Sequence, residues 1–291
     1  MDTLIEGQFG HGAIEKKLDL RDQKLGSASA PFDWSSGYDI ETALGAVFNR
    51  SFVTPTKNQG QSYSCGGQAG SYLEATLKAL GIGSFDEKSA KYIYSQIFYP
   101  TGGSTLRDVL NLITRGVASE SQVVSYEAGN PPSETFMRDT SHNSGTNAST
   151  SLATGYAFVH PDIESVAQAV RDNHGAIILI QGQDNGTWLS ATPKAPVEAV
   201  WAHFLFCGKA KLINGKKYIG VHNSWGNIGE NGWQWISEDY FNSGFITDCG
   251  VVYQDASNLK TRIALVQKAL ALAQKLLNFL FGPTKKPLIS G

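Results

Sequence analysis

The sequence predicts an α+β fold, and three observations predict it. The first half carries amphipathic helix patterns, the second half carries a run of short strand patterns, and a stretch rich in Ser, Thr, Asn and Gly lies between them. The chain has 291 residues, of which 41% are hydrophobic and 17% charged. That is long enough for a large core in one or two domains and too apolar for a disordered chain.

Residues 1–31 are polar and Gly/Ser-containing and end at Pro31, which reads as an arm with a short helix near residues 14–18. Turn signals then surround a short helix pattern, DIETALGAVFN. In residues 69–80, Tyr72, Leu73, Leu77 and Leu80 share one helical face, and Gly81 ends the run. DEKSAKYIYSQIFY reads as a second helix with Asp86 as cap. TGGSTLRDVLNLITRG reads as a third, capped by Ser104 and stopped by Gly116. Residues 127–160 show little apolar periodicity and read as a long surface loop. DIESVAQAVRDN is one more helix. The strand patterns AIILIQG, HFLFCGKAKL, KKYIGVHNS and GWQWIS follow, separated by turn residues.

Residues 259–281 form a unit of another kind. Apolar residues recur at alternating spacings of four and three, a second seam runs beside the first, and Gly282-Pro283 stops the helix. At 1.5 Å per residue such a helix is about 34 Å long. Its interior Lys and Gln residues argue against a bilayer-spanning role. The two seams fit self-association or a partner helix, the basic face fits an anionic membrane, and the helix could also fold back on its own domain, in that order of preference. The domain reading is therefore an arm at 1–31, a main domain at 32–256, and a basic amphipathic helix and tail at 257–291.

Net charge is −2, unevenly spread. The six basic residues after Asp255 leave 18 bases against 26 acids in the first 255 residues, a net of −8. So acidic a body argues against nucleic acid as the main partner. The N-terminus lacks a basic start followed by an apolar block, so no secretory signal is read, and no transmembrane helix is seen. Cys65, Cys207 and Cys249 are too few for a disulfide framework and lack metal-site spacing; neither metal nor organic cofactor is expected. Compartment is left unassigned.

The chemistry centres on KNQGQSYSCGGQA, residues 57–69. A lone cysteine is ordinarily a small core residue. Here Cys65 stands where the first turn of a helix begins, and a helix N-terminus and a nearby imidazolium both favour the thiolate. Of six histidines, His203 opens a strand pattern and Asn223 follows twenty residues later at the end of the next. Two adjacent strands could set them side by side. The amide oxygen would then fix the imidazole tautomer and aim its other nitrogen at the thiol.

These segments resemble, in order, the motifs of papain-like cysteine peptidases. VTPTKNQGQSYSCGGQA is similar to their active-site segment, with Gln59 six positions before Cys65. AHFLFCG resembles the histidine strand, and NSWGNIGENGWQWI the asparagine motif. His203 lies 138 residues after Cys65 and Asn223 lies 158 after. GGSTLRDVLNLITRG resembles the segment whose glycines, here Gly102 and Gly103, line the substrate groove. DLRD at 19–22 is similar to the leader of some prokaryotic and viral relatives. The resemblance covers roughly residues 32–254. It implies two lobes, one helical and one β-barrel-like, with a cleft between, and a C-terminal amphipathic helix outside them. It implies Cys65 as nucleophile, His203 as general base and acid, Asn223 as its orienter, Gln59 as oxyanion donor with the Cys65 backbone N–H, and Trp225 as a shield over the His203–Asn223 bond. The implied substrate is a polypeptide.

There are departures. The family usually has an aromatic residue after the nucleophile and a cysteine three before it; here Gly66 and Ser62 stand there. Cys249 resembles a family cysteine whose usual partner is missing, so it is expected unpaired. The arm is too short for the long helical propeptide typical of the family, and inhibition by such a propeptide is not expected. His222 is read as structural, Cys207 as core, and His11, His142, His160 and His174 as non-catalytic. A catalytically inactive scaffold for binding or assembly, or a transpeptidase or amidase using the same acyl-enzyme, are the alternatives to peptide hydrolysis.

Overall fold

The structure, a computed structural model, describes residues 9–15, 30–127, 130–141, 148 and 150–254. The chain divides into units of residues 1–253 and 254–291. The amphipathic C-terminal helix expected at 257–291, and the expectations for its partners, lie outside the described residues, as does His142.

The helices form where the patterns predict, with caps that fix their starts. Asp39 caps α1 (Ile40–Phe48), accepting from the Glu41 and Thr42 N–H groups. α2 (Cys65–Ile82) starts on the nucleophile candidate and is buried nearly all round, as a central helix must be. It ends one turn signal later than expected, at Gly83 in the left-handed region with φ 70°. Two expected caps shift. Ser89, not Asp86, caps α3 (Ala90–Ile97), because Asp86 is held by Lys88 and Ser119. Thr105, not Ser104, caps α4 (Leu106–Arg115), because Ser104 belongs to a two-residue strand. The expected loop at 127–160 contains α5 (Glu134–Arg138) and the edge strand β4 (Gly155–Phe158). Both are too short to generate periodicity in the sequence.

Behind the helices stands an antiparallel sheet. Its order is β4, β9 (Ile246–Tyr253), β5 (Ala176–Gly182), β6 (Trp201–Ile213), β7 (Lys216–His222), β8 (Trp233–Ser237), with β2 (Tyr38–Asp39) added to β6. α6 (Ile163–Asn173) and α7 (Glu238–Asn242) complete the lobe. Among the described residues no pairing joins edge strands β4 and β8, so the lobe expected to be barrel-like is an open sheet. Both of its faces are covered. Ile178, Ile180, Leu205 and Cys207 lie in one core with α6; Ile177, Leu179, Phe204 and Phe206 lie in the other with α2 and α4. Burial on both sides is why AIILI is apolar at every position rather than alternating.

Candidate active site

Cys65, His203 and Asn223 come from three different elements. Cys65 is the first residue of α2 and fully buried. His203 lies on β6, and the β6–β7 register pairs Phe206 with His222. That register puts His222 on the face of Phe206 and leaves Asn223, the next residue, diagonal to His203 on the opposite face. His203 Nε2 and Asn223 Oδ1 are 3.0 Å apart.

The amide orientation and the tautomer follow from the surrounding bonds. Asn223 Nδ2 donates to Gln234 Oε1 at 2.8 Å, and Asn223 Oδ1 also accepts the Ser224 N–H at 2.7 Å. Gln234 Nε2 donates in turn to the Trp188 and Ser190 carbonyls. Asn223 Oδ1 is thus an acceptor, so His203 carries its proton on Nε2 and its Nδ1 holds a lone pair. Among the described residues, that Nδ1 is buried without a hydrogen-bond partner. Trp225 lies over the pair, its ring 4.9 Å from the His203 ring and fully buried. Gln234 is the residue sequence reading missed; its signal was a glutamine in the middle of the apolar strand GWQWIS.

Gln59 is held from both lobes. Its backbone N–H donates to the Ser224 carbonyl at 2.8 Å, and its Oε1 accepts from Ser224 Oγ at 2.5 Å. The Gly226 N–H donates to the Lys57 carbonyl, and Asn58 bridges to Trp225. Segment 57–59 is therefore stitched to segment 224–226. The two departures from the family pattern have local causes. Ser62 Oγ donates to the Gln59 carbonyl at 2.7 Å and shares a 2.7 Å bond with Ser64 Oγ, which ties the loop without a disulfide. A side chain on Gly66 would start 2.2 Å from Ser104 Oγ, so the usual aromatic has no room. None of the three cysteines is in a disulfide, and all three are buried.

Residues 9–15 of the arm enter this site, although they were expected to be neither strand nor functional. Ala13–Ile14 form β1, parallel to β3 (Ser104–Thr105); of the helix expected near residues 14–18, Ile14 is strand and 16–18 lie outside the described residues. The Gly10 N–H donates to the Gly60 carbonyl, Gln59 Nε2 donates to the Gly10 carbonyl at 2.8 Å, and the Ser104 N–H donates to the Gly12 carbonyl. Phe9 stacks on Trp225 at 5.0 Å. His11, expected to be an ordinary loop histidine, stacks flat on Trp201 at 4.4 Å and stands edge-on to His203 at 5.9 Å. Gln181 Nε2 donates to Glu15. Of the two expected groove glycines, Gly103 meets this segment, its Cβ position 2.3 Å from the Gly12 carbonyl oxygen, whereas Gly102 lies against the Tyr63 ring. Gly-His-Gly between hydrophobic residues was the only sequence signal for it.

Burial sets the ionisation. It pushes the Cys65 thiol up to about 11, against N–H groups of Phe204, Gly12 and Gly66 that pull it down. Burial pushes His203 down to about 3, with His11 adding to the shift and Asn223 opposing it. His11 itself is pushed down to about 4 by burial, against the Asp184 carboxylate. With the arm in place, thiol and imidazole are both neutral.

No family model matches the sequence, and no curated protein matches it. Solved structures do. Xylellain, a cysteine protease from Xylella fastidiosa, is 18% identical over 85% of this chain and 97% of its own, with a TM-score of 0.63. A digestive procathepsin L from Tenebrio molitor larval midgut is 20% identical over 84% and 75%, with a TM-score of 0.62. A procathepsin B from Trypanosoma congolense is 11% identical over 86% and 87%, with a TM-score of 0.65. The fold is papain-like. None of the described helices is long and apolar enough to cross a membrane.

Proposed function

We propose that this chain is a cysteine peptidase that hydrolyses peptide bonds and is held shut by residues 9–15. The observation that carries the reading is the hydrogen-bonded His203–Asn223 pair, tautomerically fixed, on a strand whose next residue, Phe204, turns its backbone N–H on the Cys65 thiol at a helix N-terminus. Once the arm leaves, water and the α2 N-terminus favour the Cys65 thiolate and the His203 imidazolium over the neutral pair. The thiolate attacks the substrate carbonyl carbon. Negative charge develops on the carbonyl oxygen, where Gln59 Nε2 and the Cys65 N–H donate to it. His203 gives its proton to the leaving amine as the C–N bond breaks, leaving an acyl-enzyme. It then takes a proton from water, whose oxygen attacks the thioester carbonyl and releases the acid and Cys65. Trp225 keeps bulk water off the His203–Asn223 bond.

The test uses the full-length Gly12→Ala protein. A Cβ there would stand 1.8 Å from the Tyr63 carbonyl oxygen, so the arm cannot stay seated. This open protein should cleave a mixture of unstructured peptides, read by mass spectrometry, and iodoacetamide should label Cys65. Labelling without cleavage would instead support a binding scaffold. In the open protein Gln59→Ala should lower turnover by roughly 10- to 1000-fold, the range for one oxyanion donor. Cys65 should still be labelled, since Gln59 does not set the thiolate.

Arm seating should also weaken in acid. His11 is seated between Trp201 and Trp225, with His203 and Asp184 as the titratable groups facing it. Its seated pKa of about 4 lies below the ordinary imidazole value of 6.5, so the neutral ring is the form the site holds. Seating is at full strength above pH 6.5 and is lost as pH falls toward 4, by up to roughly two orders of magnitude. The ratio of Cys65 labelling in the parent protein to that in the open protein, measured at each pH, should rise over this window. A flat ratio would contradict it.

A further inference from the structure

Residues 9–15 show what chain the cleft admits. Its walls at the narrowest point are backbone. A Cβ on Gly10 would stand 2.1 Å from the Ser62 carbonyl oxygen, and one on Gly12 would stand 1.8 Å from that of Tyr63. Across the passage, Gly103 has its own Cβ position 2.3 Å from the Gly12 carbonyl oxygen. The Ser62 and Tyr63 carbonyls are main-chain groups of the loop leading into α2 and cannot rotate aside as a flexible side chain can. Between the two glycines one side chain points out of the passage, and it lies flat on Trp201 with 2° between the planes. The Trp201 indole is itself held in place. Its Nε1 donates to Asp184 Oδ1 at 3.0 Å, and Trp188 meets it edge-on at 4.9 Å. It also lies where a Cβ on Gly182 would be, 2.2 Å away, so that glycine makes room for it.

We propose that the cleft selects peptides containing glycine, a planar residue and glycine in succession, and that Trp201 is the specificity-determining side chain for the planar residue, an imidazole or an aromatic ring. The inference rests on the peptidase reading of the same cleft. The arm runs parallel to β3.

The test uses two full-length proteins with the arm displaced for different reasons, Gly12→Ala by the clash and His11→Asp by charge placed near Asp184. The probe is the heptapeptide FGHGAIE, and the readout is protection of Cys65 from iodoacetamide. FGHGAIE should protect, and FAHGAIE and FGHAAIE should need at least about tenfold higher concentration, the scale for one misplaced methyl group in a tight site. FGFGAIE should protect like the parent, whereas FGAGAIE should be several-fold weaker. Adding Trp201→Ala should erase the difference between FGHGAIE and FGAGAIE while the glycine requirement stays. Equal protection by FGHAAIE, or a Gly12→Ala protein whose Cys65 stays shielded, would overturn the glycine passage. Equal protection by FGAGAIE, or no protection by FGHGAIE in either protein, would overturn the role of Trp201 or the selection itself. Protection needs no turnover. Protection with the expected pattern but no peptide cleavage defeats the peptidase reading and leaves this selectivity standing; cleavage of glycine-free peptides as fast as of Gly-His-Gly peptides does the reverse.

Discussion

Cys65→Ala in the open protein is expected to lower peptide cleavage by roughly 10,000-fold or more, the scale for losing a covalent nucleophile. No other thiol can substitute. Cys207 and Cys249 are buried in the core on the α6 side of the sheet, away from the core that holds Cys65. The nearby hydroxyls of Ser62 and Ser64 are bonded to each other. The fold should survive, because the substitution removes one sulfur from a packed site, at a cost of about 1 kcal/mol. For a domain of this size that is a fall in Tm of about 2–4 °C. Turnover and thermal melting, measured on the same preparation, check both halves. Residual cleavage above about one per cent would remove Cys65 from the nucleophile role.

His203→Ala and His222→Ala should fail in opposite ways. His203 presents a lone pair toward the site and is oriented by Asn223. Its loss should cost turnover on a scale similar to Cys65→Ala, roughly 10,000-fold, with a small change in Tm. His222 is almost as buried and its pKa is also pushed down to about 3 by burial. But it faces the other core, 4.6 Å from the Tyr72 ring and 4.7 Å from the Trp233 ring, and among the described residues neither ring nitrogen has a hydrogen-bond partner. His222→Ala leaves a cavity between two aromatic rings, so it should lower Tm by several degrees and leave turnover per folded molecule nearly unchanged. If His222→Ala silenced a protein that still melted normally, the choice of histidine would be wrong.

The sequence made the long elements legible, because α2, α4, α6 and strands β5 to β8 each carry enough residues to show a period. The order Gln59, Cys65, His203, Asn223 was equally legible, since the motifs are local and widely spaced. What escaped was whatever depends on distant partners. Ser104 looked like a helix cap because its role is pairing with the arm, 91 positions before it in the β1–β3 register. Gln234 looked like a polar residue on a strand because its partners, Asn223, Trp188 and Ser190, are brought together only by the fold. His11 and its glycines looked like loop because no periodicity marks seven residues whose conformation is imposed by the walls around them.

Strand β9 sits between β4 and β5, although it is the last strand in the described chain. It pairs Ile177 with Gly250 and Phe158 with the same glycine, so it is the interior rung that joins two earlier strands. On a ribosome, every residue of the candidate site would have been made before that rung existed. Until residue 253 emerges, β4 has no neighbour and β5 lacks one of its two. Assembly of this lobe then waits on a long-range pairing, which forms slowly compared with local helices. On the peptidase reading proposed above, a complete site would therefore form late in synthesis rather than early.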